Sequence, residues 1–415
     1  MPVNISRNSV GASANIAPRL GLAWKLNEKT VIRSGAGFIY AQPDSFQVGA
    51  RAANQAPDFV EIGFGTLDRI NPRLTLSGGF PAVQLPATSV PGPALVGAEI
   101  PQEFLPTQYS QQWFFDLQHQ LPFDTLLTVG YNGNGTRQLL AGVDFNLPFD
   151  IAPGPTPVAS RRLWPFYTSV TRQLPVGRLS YNAMTLKVEK RFSKGLTFLS
   201  AYTWSKTLDN VDETLSNSGV GALKPWDRNL NRGRSTTDLR HNYVMSASYE
   251  LPFGKGKTFM NTNRAADLVL GGWQLGGILS LQTGLPFTVN SGGGITNAGG
   301  ADRPNRIGNG NLPSGQQSID RWFDLAAFVT QAQYTYGNSG RNILDGPGNR
   351  NLDLSLAKSF AVTERVRLQF RAEAFNATNT ANFGFPGANI NAAGVGTITS
   401  ADEPRRVQFA LKMVF

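Results

Sequence analysis

The sequence contains no cysteine in its 415 residues, which excludes disulfide staples and thiolate metal sites. Histidine is nearly absent too. The only two, His119 and His241, sit in different segments, and a zinc site needs roughly three or four ligands. No metal site and no cofactor are expected. The net charge is +10 and the isoelectric point about 9.9, a balance that brings nucleic acid, anionic lipid or a charged lumen to mind. The basic residues are dispersed, however, and none of their groupings interleaves with stacking aromatics as a single-strand binder requires. Nucleic acid is therefore not an expected partner. No apolar stretch approaches the ~18–20 residues of a transmembrane helix. The mean hydropathy of −0.20 says nothing about membrane strands, whose alternation averages out. The opening MPVNISRNSVGASANIAPRL lacks the basic start and apolar centre of a signal peptide. No Ser/His/Asp set or close carboxylate pair suggests catalysis, so no catalytic residue and no enzyme activity are expected.

What the sequence has in quantity is glycine (44), proline (26) and aromatics, including 26 Phe and 7 Trp. Many short strands joined by glycine- and asparagine-rich connections produce such a profile. Alternation of period two is explicit at the C-terminus. Val407, Phe409, Leu411, Met413 and Phe415 share one face, while Arg406, Gln408, Ala410, Lys412 and Val414 share the other. The same pattern recurs at 108–121, 182–192, 238–251, 273–283, 350–360 and 365–375, and more weakly at 18–26, 30–40, 125–133 and 196–206. Charges at every second position would fall on both sides of a helix, so strands are expected. One helix-like stretch, Asn263 to Leu270, stands between two of them.

The connections separate a soluble sandwich from a membrane barrel. Short ones (Asn27-Glu28-Lys29, Pro122-Phe123-Asp124, Ser193-Lys194-Gly195, Ala361 to Glu364) alternate with long ones (roughly 41–107, 134–180, 207–237, 284–349, 376–404), Pro252 to Gly272 being a longer exception among the short set. Outer-membrane barrels have this parity, with short periplasmic turns and longer extracellular loops. The sequence thus predicts an all-β, antiparallel transmembrane β-barrel portion located in the outer membrane. Phe415 would lie in the periplasm and the first strand would run inward from outside. Single-chain bacterial barrels have even strand numbers, so about eleven strands are expected to be half of a barrel of about 22, the size of plugged transporters. Residues 1–415 form a single partial barrel domain in this view, with no plug and no signal peptide.

Several blocks together resemble Oar-like TonB-dependent outer-membrane receptors, which carry a carboxypeptidase-regulatory-like domain. They are PRLGLAW, TVIRSGAGFIY, YSQQWFFDLQHQLPFDTLLTVGYNGNGTR, SYNAMTLKVEKRFSKGLTFLSAYTWSKTLDN, DLRHNYVMSASYELPFGKGK, GGWQLGGILSLQTGLPFTV and LQFRAEAFNATNTANFG. The resemblance covers nearly all of 15–415. It implies a receptor barrel that, in a full protein, takes up a large or scarce solute. Its partners would be an unidentified extracellular ligand, outer-membrane lipid and lipopolysaccharide, and a TonB complex reached only through an N-terminal part absent from this sequence. The terminal strand, Val407, Phe409, Leu411, Met413 and Phe415, is similar to the C-terminal β-signal read by the barrel-assembly machinery. The alternative is a non-transporting surface or adhesion barrel that binds partners through its loops.

Charges that share a strand face are expected to line an aqueous or protein-filled lumen: Lys187, Glu189 and Arg191, then Arg365, Arg367, Arg371 and Glu373. They could pair across strands or contact a plug. Both histidines fall on the opposite, lipid-facing side. Trp113, Tyr202, Trp204, Tyr243, Tyr249 and Trp273 are candidates for aromatic belts. Asp209, Asp212 and Glu213 lack EF-hand spacing and are expected to form a solvated acidic turn rather than a calcium site. Phe253-Gly254-Lys255-Gly256-Lys257 lacks phosphate-loop spacing and is expected to be a turn.

Overall fold

A computed structural model of the chain describes residues 15–41, 79, 96–100, 106–147, 155–165, 167–211, 228–254, 256–259, 264–298, 302–313, 315–361 and 366–415. Its main feature is a meander of eleven consecutive antiparallel strands. They are β1 (Arg19–Asn27), β2 (Thr30–Ala41), β3 (Gln108–Leu121), β4 (Thr125–Asp144), β5 (Tyr167–Ser193), β6 (Leu196–Asp209), β7 (His241–Glu250), β8 (Trp273–Gln282), β9 (Asn349–Ala361), β10 (Arg367–Phe375) and β11 (Arg406–Val414). Each pairs with the next in sequence, and β1 and β11 are not paired with one another. Two short strands join the same sheet off this path. Val96–Ile100 runs parallel to β5, and Gly233–Arg234 pairs with the end of β6.

Register carries the alternation from strand to strand without a change of face. Across the sheet, Phe409 opposes Ala372, which opposes Leu356, then Leu275, Tyr249 and Leu196. On the other half, Leu186 opposes Val129, which opposes Leu117, Ile32 and Trp24. Residues opposite one another in an antiparallel pair point the same way. A one-residue slip at any pair would turn the rest of the sheet over. One continuous face is therefore apolar, and the other carries Arg33, Asp116, Lys187, Glu189, Asp353 and Glu373.

The turns at one end are tight. Only Glu28 and Lys29 separate β1 from β2, and Asn27 Oδ1 accepts the Lys29 amide at 2.9 Å. Between β5 and β6, Lys194 (φ 52°) and Gly195 (φ 81°) both adopt left-handed backbone, the two-residue hairpin whose twist matches its strands. The longer excursion between β7 and β8 contains helix α1 (Arg264–Leu270), within the stretch the sequence marks as helix-like. No helix among the described residues is long and apolar enough to cross a membrane, which leaves strand crossing open.

Two expectations are corrected here. The stretch 134–180, read as a loop, is largely strand. β4 continues to Asp144 and β5 begins at Tyr167, so the hairpin extends well beyond its neighbours. Pro175, which has no N–H to give, sits at an irregular step. Leu139 opposes Gly177 but Ala141 opposes Leu174, so two residues of β4 span three of β5. Leu139, Ala141 and Val211 form a small buried cluster beneath it. The second correction concerns 238–251. Strand β7 starts only at His241, and Asp238, expected on a polar strand face, is fully buried in a loop network.

Candidate functional site

The polar face of the sheet and the long-loop end together hold the chemistry of this chain. On the polar face, Lys187 and Glu189 form an ion pair at 2.9 Å, and Arg371 and Glu373 approach to 3.5 Å. Both pairs run along a single strand, and neither is one of the cross-strand pairings that were one alternative for these charges. The cross-strand partner of Glu373 is neutral: Gln408 Nε2 donates to its Oε2 at 2.5 Å. A groove of about 690 Å³ on this face brings Lys187, Glu189, Arg191 and Arg371 together with Ser248 and Gln274. Arg367 lies on the same face of β10. Arg365 lies outside the described residues.

The apolar face carries Trp113, Tyr202, Trp204, Tyr243, Tyr249 and Trp273 in register, as the alternation implies. Val407, Phe409, Leu411 and Met413 share that face on β11 and are exposed, and Phe415 follows the strand at 93% exposure. Both histidines are on the apolar side and are engaged locally. Thr30 Oγ1 lies 2.9 Å from His119 Nδ1, and Tyr202 Oη lies 2.7 Å from His241 Nδ1 with the two rings stacked. Among the described residues no three His, Asp or Glu side chains gather as a metal-holding group.

At the end opposite the tight turns, the described parts of the connections before β9 and β11 are packed together. Phe287, Val289, Phe323, Ala327, Phe328 and Leu344 form a buried core, joined by Ala388, Ile390 and Val395 from the connection before β11. Two short ribbons, Pro286–Phe287 with Leu344–Asp345 and Asn305–Arg306 with Phe328–Val329, frame it. Buried charge ties this core to the sheet. Arg341 pairs with Asp209 at the tip of β6, both side chains almost wholly buried, and also donates to the Asp209 carbonyl at 2.9 Å. Asp209 is thus buried and paired, not the solvated turn residue expected. Asp212 and Glu213 lie outside the described residues.

Asp238 accepts from the Thr207 amide at 2.5 Å and from Arg234 at 2.7 Å, and Arg234 also reaches Asp345 at 2.5 Å. Burial opposes the charge on Arg234, but hydrogen bonds to Asp238 and Asp345 outweigh it and raise the guanidinium pKa above its ordinary value. Nearby, Arg234, Arg240, Arg350, Asp345 and Trp322 line a groove of about 850 Å³ between the loop core and the strand ends. Most of these associations are invisible as motifs because the partners are distant in sequence; Asp209 and Arg341 are 132 residues apart and Arg234 and Asp345 are 111 apart, whereas Arg234 and Asp238 are only 4 apart. The Phe253–Lys257 stretch is a turn, as expected. Phe253 bridges to Phe259, and Lys257 is held by Glu250 at 2.6 Å, while Lys255 lies outside the described residues.

The family described as outer membrane beta barrel domain matches residues 4–408. No curated protein matches the chain. Among solved structures, the outer membrane transporter YddB from Escherichia coli aligns with a TM-score of 0.54 at 11% identity, covering 96% of this chain and 40% of that one. The FrpB iron transporter from Neisseria meningitidis aligns at 0.45 and 11% identity, with 96% and 39% covered. The ferripyoverdine receptor of Pseudomonas aeruginosa aligns at 0.43 and 12% identity, with 96% and 32% covered. Identities this low speak to fold alone, and of the three the YddB alignment carries the weight. The chain spans about two fifths or less of the length of these solved chains.

Proposed function

The chain belongs to the outer membrane beta barrel domain family and lies in the outer membrane, and from that premise we propose that it is one portion of the wall of a TonB-dependent, Oar-like receptor. In the complete protein that receptor takes up a large or scarce solute. The observation that carries this is the pairing of a one-sided apolar meander with an ordered, charge-tied loop core at one end. Lipid tolerates no unpaired strand edge. The outer edges of β1 and β11, which do not pair with each other, are proposed to be closed by further strands of a larger barrel of about 22. The short-turn end is assigned to the periplasm and the long-loop end to the outside, following the usual asymmetry.

In this arrangement the polar face lines the lumen. Lys187, Glu189, Arg191, Arg367, Arg371 and Glu373 face water or a plug, and the plug couples to the TonB complex through sequence outside this chain. The loop core and the arginine-lined groove beside it would meet the ligand, while lipopolysaccharide surrounds the outer rim. Val407, Phe409, Leu411, Met413 and Phe415 serve as the β-signal for the assembly machinery. No enzymatic step is proposed.

The test is energy dependence. Media from cells with and without the complete receptor are compared by mass spectrometry, with and without an uncoupler. A solute depleted only by receptor-bearing, energised cells supports uptake. Depletion that is insensitive to the uncoupler, or absent altogether, would sink the transporter assignment and leave a loop-binding surface barrel.

A further inference from the structure

The α1 segment between β7 and β8 makes contacts that uptake does not explain. A helix leaves its last carbonyls without intrahelical partners. Here Lys358 Nζ donates to the carbonyls of Leu268 and Val269 at 2.7 and 2.8 Å, and Trp273 Nε1 donates to that of Val269 at 2.9 Å. A cation at this end also complements the helix dipole. Both donors stand in one row of the apolar face, where Trp273 opposes Lys358, Lys358 opposes Phe370 and Phe370 opposes Leu411. The C-terminus of α1 is therefore held over the outer, apolar side of the sheet and away from its polar side.

Lysine is costly on such a face. Lys358 is only 3% exposed, its ammonium 5.0 Å from the Trp273 ring centre and 4.9 Å from that of Phe360. Carbonyls and rings engage the ammonium, which lowers the cost of placing it on this face. Meanwhile Leu268, Val269 and Leu270 are 64%, 64% and 42% exposed. Three consecutive helical residues sweep roughly 200° of the helix surface, so a broad arc of α1 is aliphatic. That arc continues the apolar surface of the sheet at the short-turn end. Tryptophan and lysine beside it are the residue types that settle at a membrane interface.

We propose that α1 is a lipid-seated foot, inserted at the headgroup boundary of the phospholipid leaflet next to the short turns and latched by Lys358. The proposal rests on the barrel assignment above, and its test separates the two. The chain has no cysteine, so a single introduced thiol takes a unique fluorescent label. Val269→Cys, Leu354→Cys on the apolar face and Ser355→Cys on the polar face are each labelled in the complete receptor, any cysteine outside this chain replaced by serine, inserted in phosphatidylcholine vesicles.

The expected result is quenching of the 269 label by a shallow nitroxide phospholipid, with protection from aqueous iodide. The 354 label should respond to a deep nitroxide and the 355 label to neither lipid probe. Iodide-accessible, lipid-blind behaviour at 269 alongside normal quenching at 354 overturns the foot while sparing the barrel. Lipid-blind behaviour at both positions overturns both. Lys358→Met should strip the 269 label of most of its lipid quenching and leave the 354 label unchanged. Undiminished quenching at 269 in that variant would refute the latch.

Discussion

Removing Asp209 tests how the loop core is held to the sheet. Asp209 and Arg341 are 2% and 1% exposed, so the guanidinium of Arg341 has little water to turn to. Asp209→Ala leaves that charge without its carboxylate. Breaking one partner of a buried pair costs about 3–5 kcal/mol. The pair joins the tip of β6 to the connection before β9, so the loss should appear as local opening of 284–348 and not as melting of the strands. A cost of that size raises the open population by roughly two to three and a half orders of magnitude, taking about 1.4 kcal/mol per factor of ten. Hydrogen exchange on the complete receptor in lipid, read peptide by peptide, measures it directly. Amides of Val289 and Leu344, in the wholly buried core, should lose protection, while those of β8 and β9 hold theirs. The double variant Asp209→Leu with Arg341→Met should recover most of the loss, because an apolar pair of similar volume often matches a buried ion pair. Unchanged protection in Asp209→Ala would refute the idea that this pair is the tie. A double variant as damaged as the single one would point to lost packing in place of lost charge.

The face assignment predicts that Leu354→Arg destabilises the membrane-inserted sheet by about 2–4 kcal/mol in a urea titration in lipid, while Ser355→Arg has a far smaller effect; equal effects would overturn it. A Cβ at Gly284 would collide with the backbone carbonyl of Gly346. Backbone cannot step aside as a side-chain tip can, so Gly284→Ala should cost about 1–3 kcal/mol and speed protease cleavage in the loop core. Phe409→Ala combined with deletion of Phe415 should lower the heat-modifiable, outer-membrane fraction of the chain several-fold if β11 is the assembly signal, and normal yield would remove that role. Burial first, and then the negative charge of Asp302, raise the Tyr336 phenol above its usual value. A raised folded pKa means its stabilising contribution is complete below about pH 10, the unfolded tyrosine value, and is lost as pH climbs through the folded value. Tyr336→Phe should therefore flatten the alkaline decline in protease resistance of the loop core, and a decline of unchanged steepness would count against this residue.

The strands were legible because alternation is a local property. Val407 through Met413 declare their face within a single strand, and antiparallel register then copies that face onto Phe370, Leu356 and Leu275. Extensions of β4 and β5 were not legible. Asn134, Gly135 and Pro175 read as loop chemistry, and only pairing with neighbouring strands, β3 for the first two and β4 with a bulge for the proline, makes them sheet. Asp238 was misplaced for a related reason. Its spacing continues the pattern of β7, yet the buried demand of Arg234 and of the Thr207 amide draws it out of the strand.

By itself the sequence determined the period of the strands, which side chains share a face, and the alternation of tight turns with long connections. All of these follow from interactions within a few residues of one another. Tertiary structure alone decided where the buried charge goes. Asp209 finds Arg341, Arg234 bridges Asp238 and Asp345, and Lys358 closes the end of α1. All but the Arg234–Asp238 pair, 4 residues apart, are contacts between segments far apart in the chain. A buried ion persists only where folding delivers an opposite charge or a set of carbonyls to it, and no local pattern encodes that delivery.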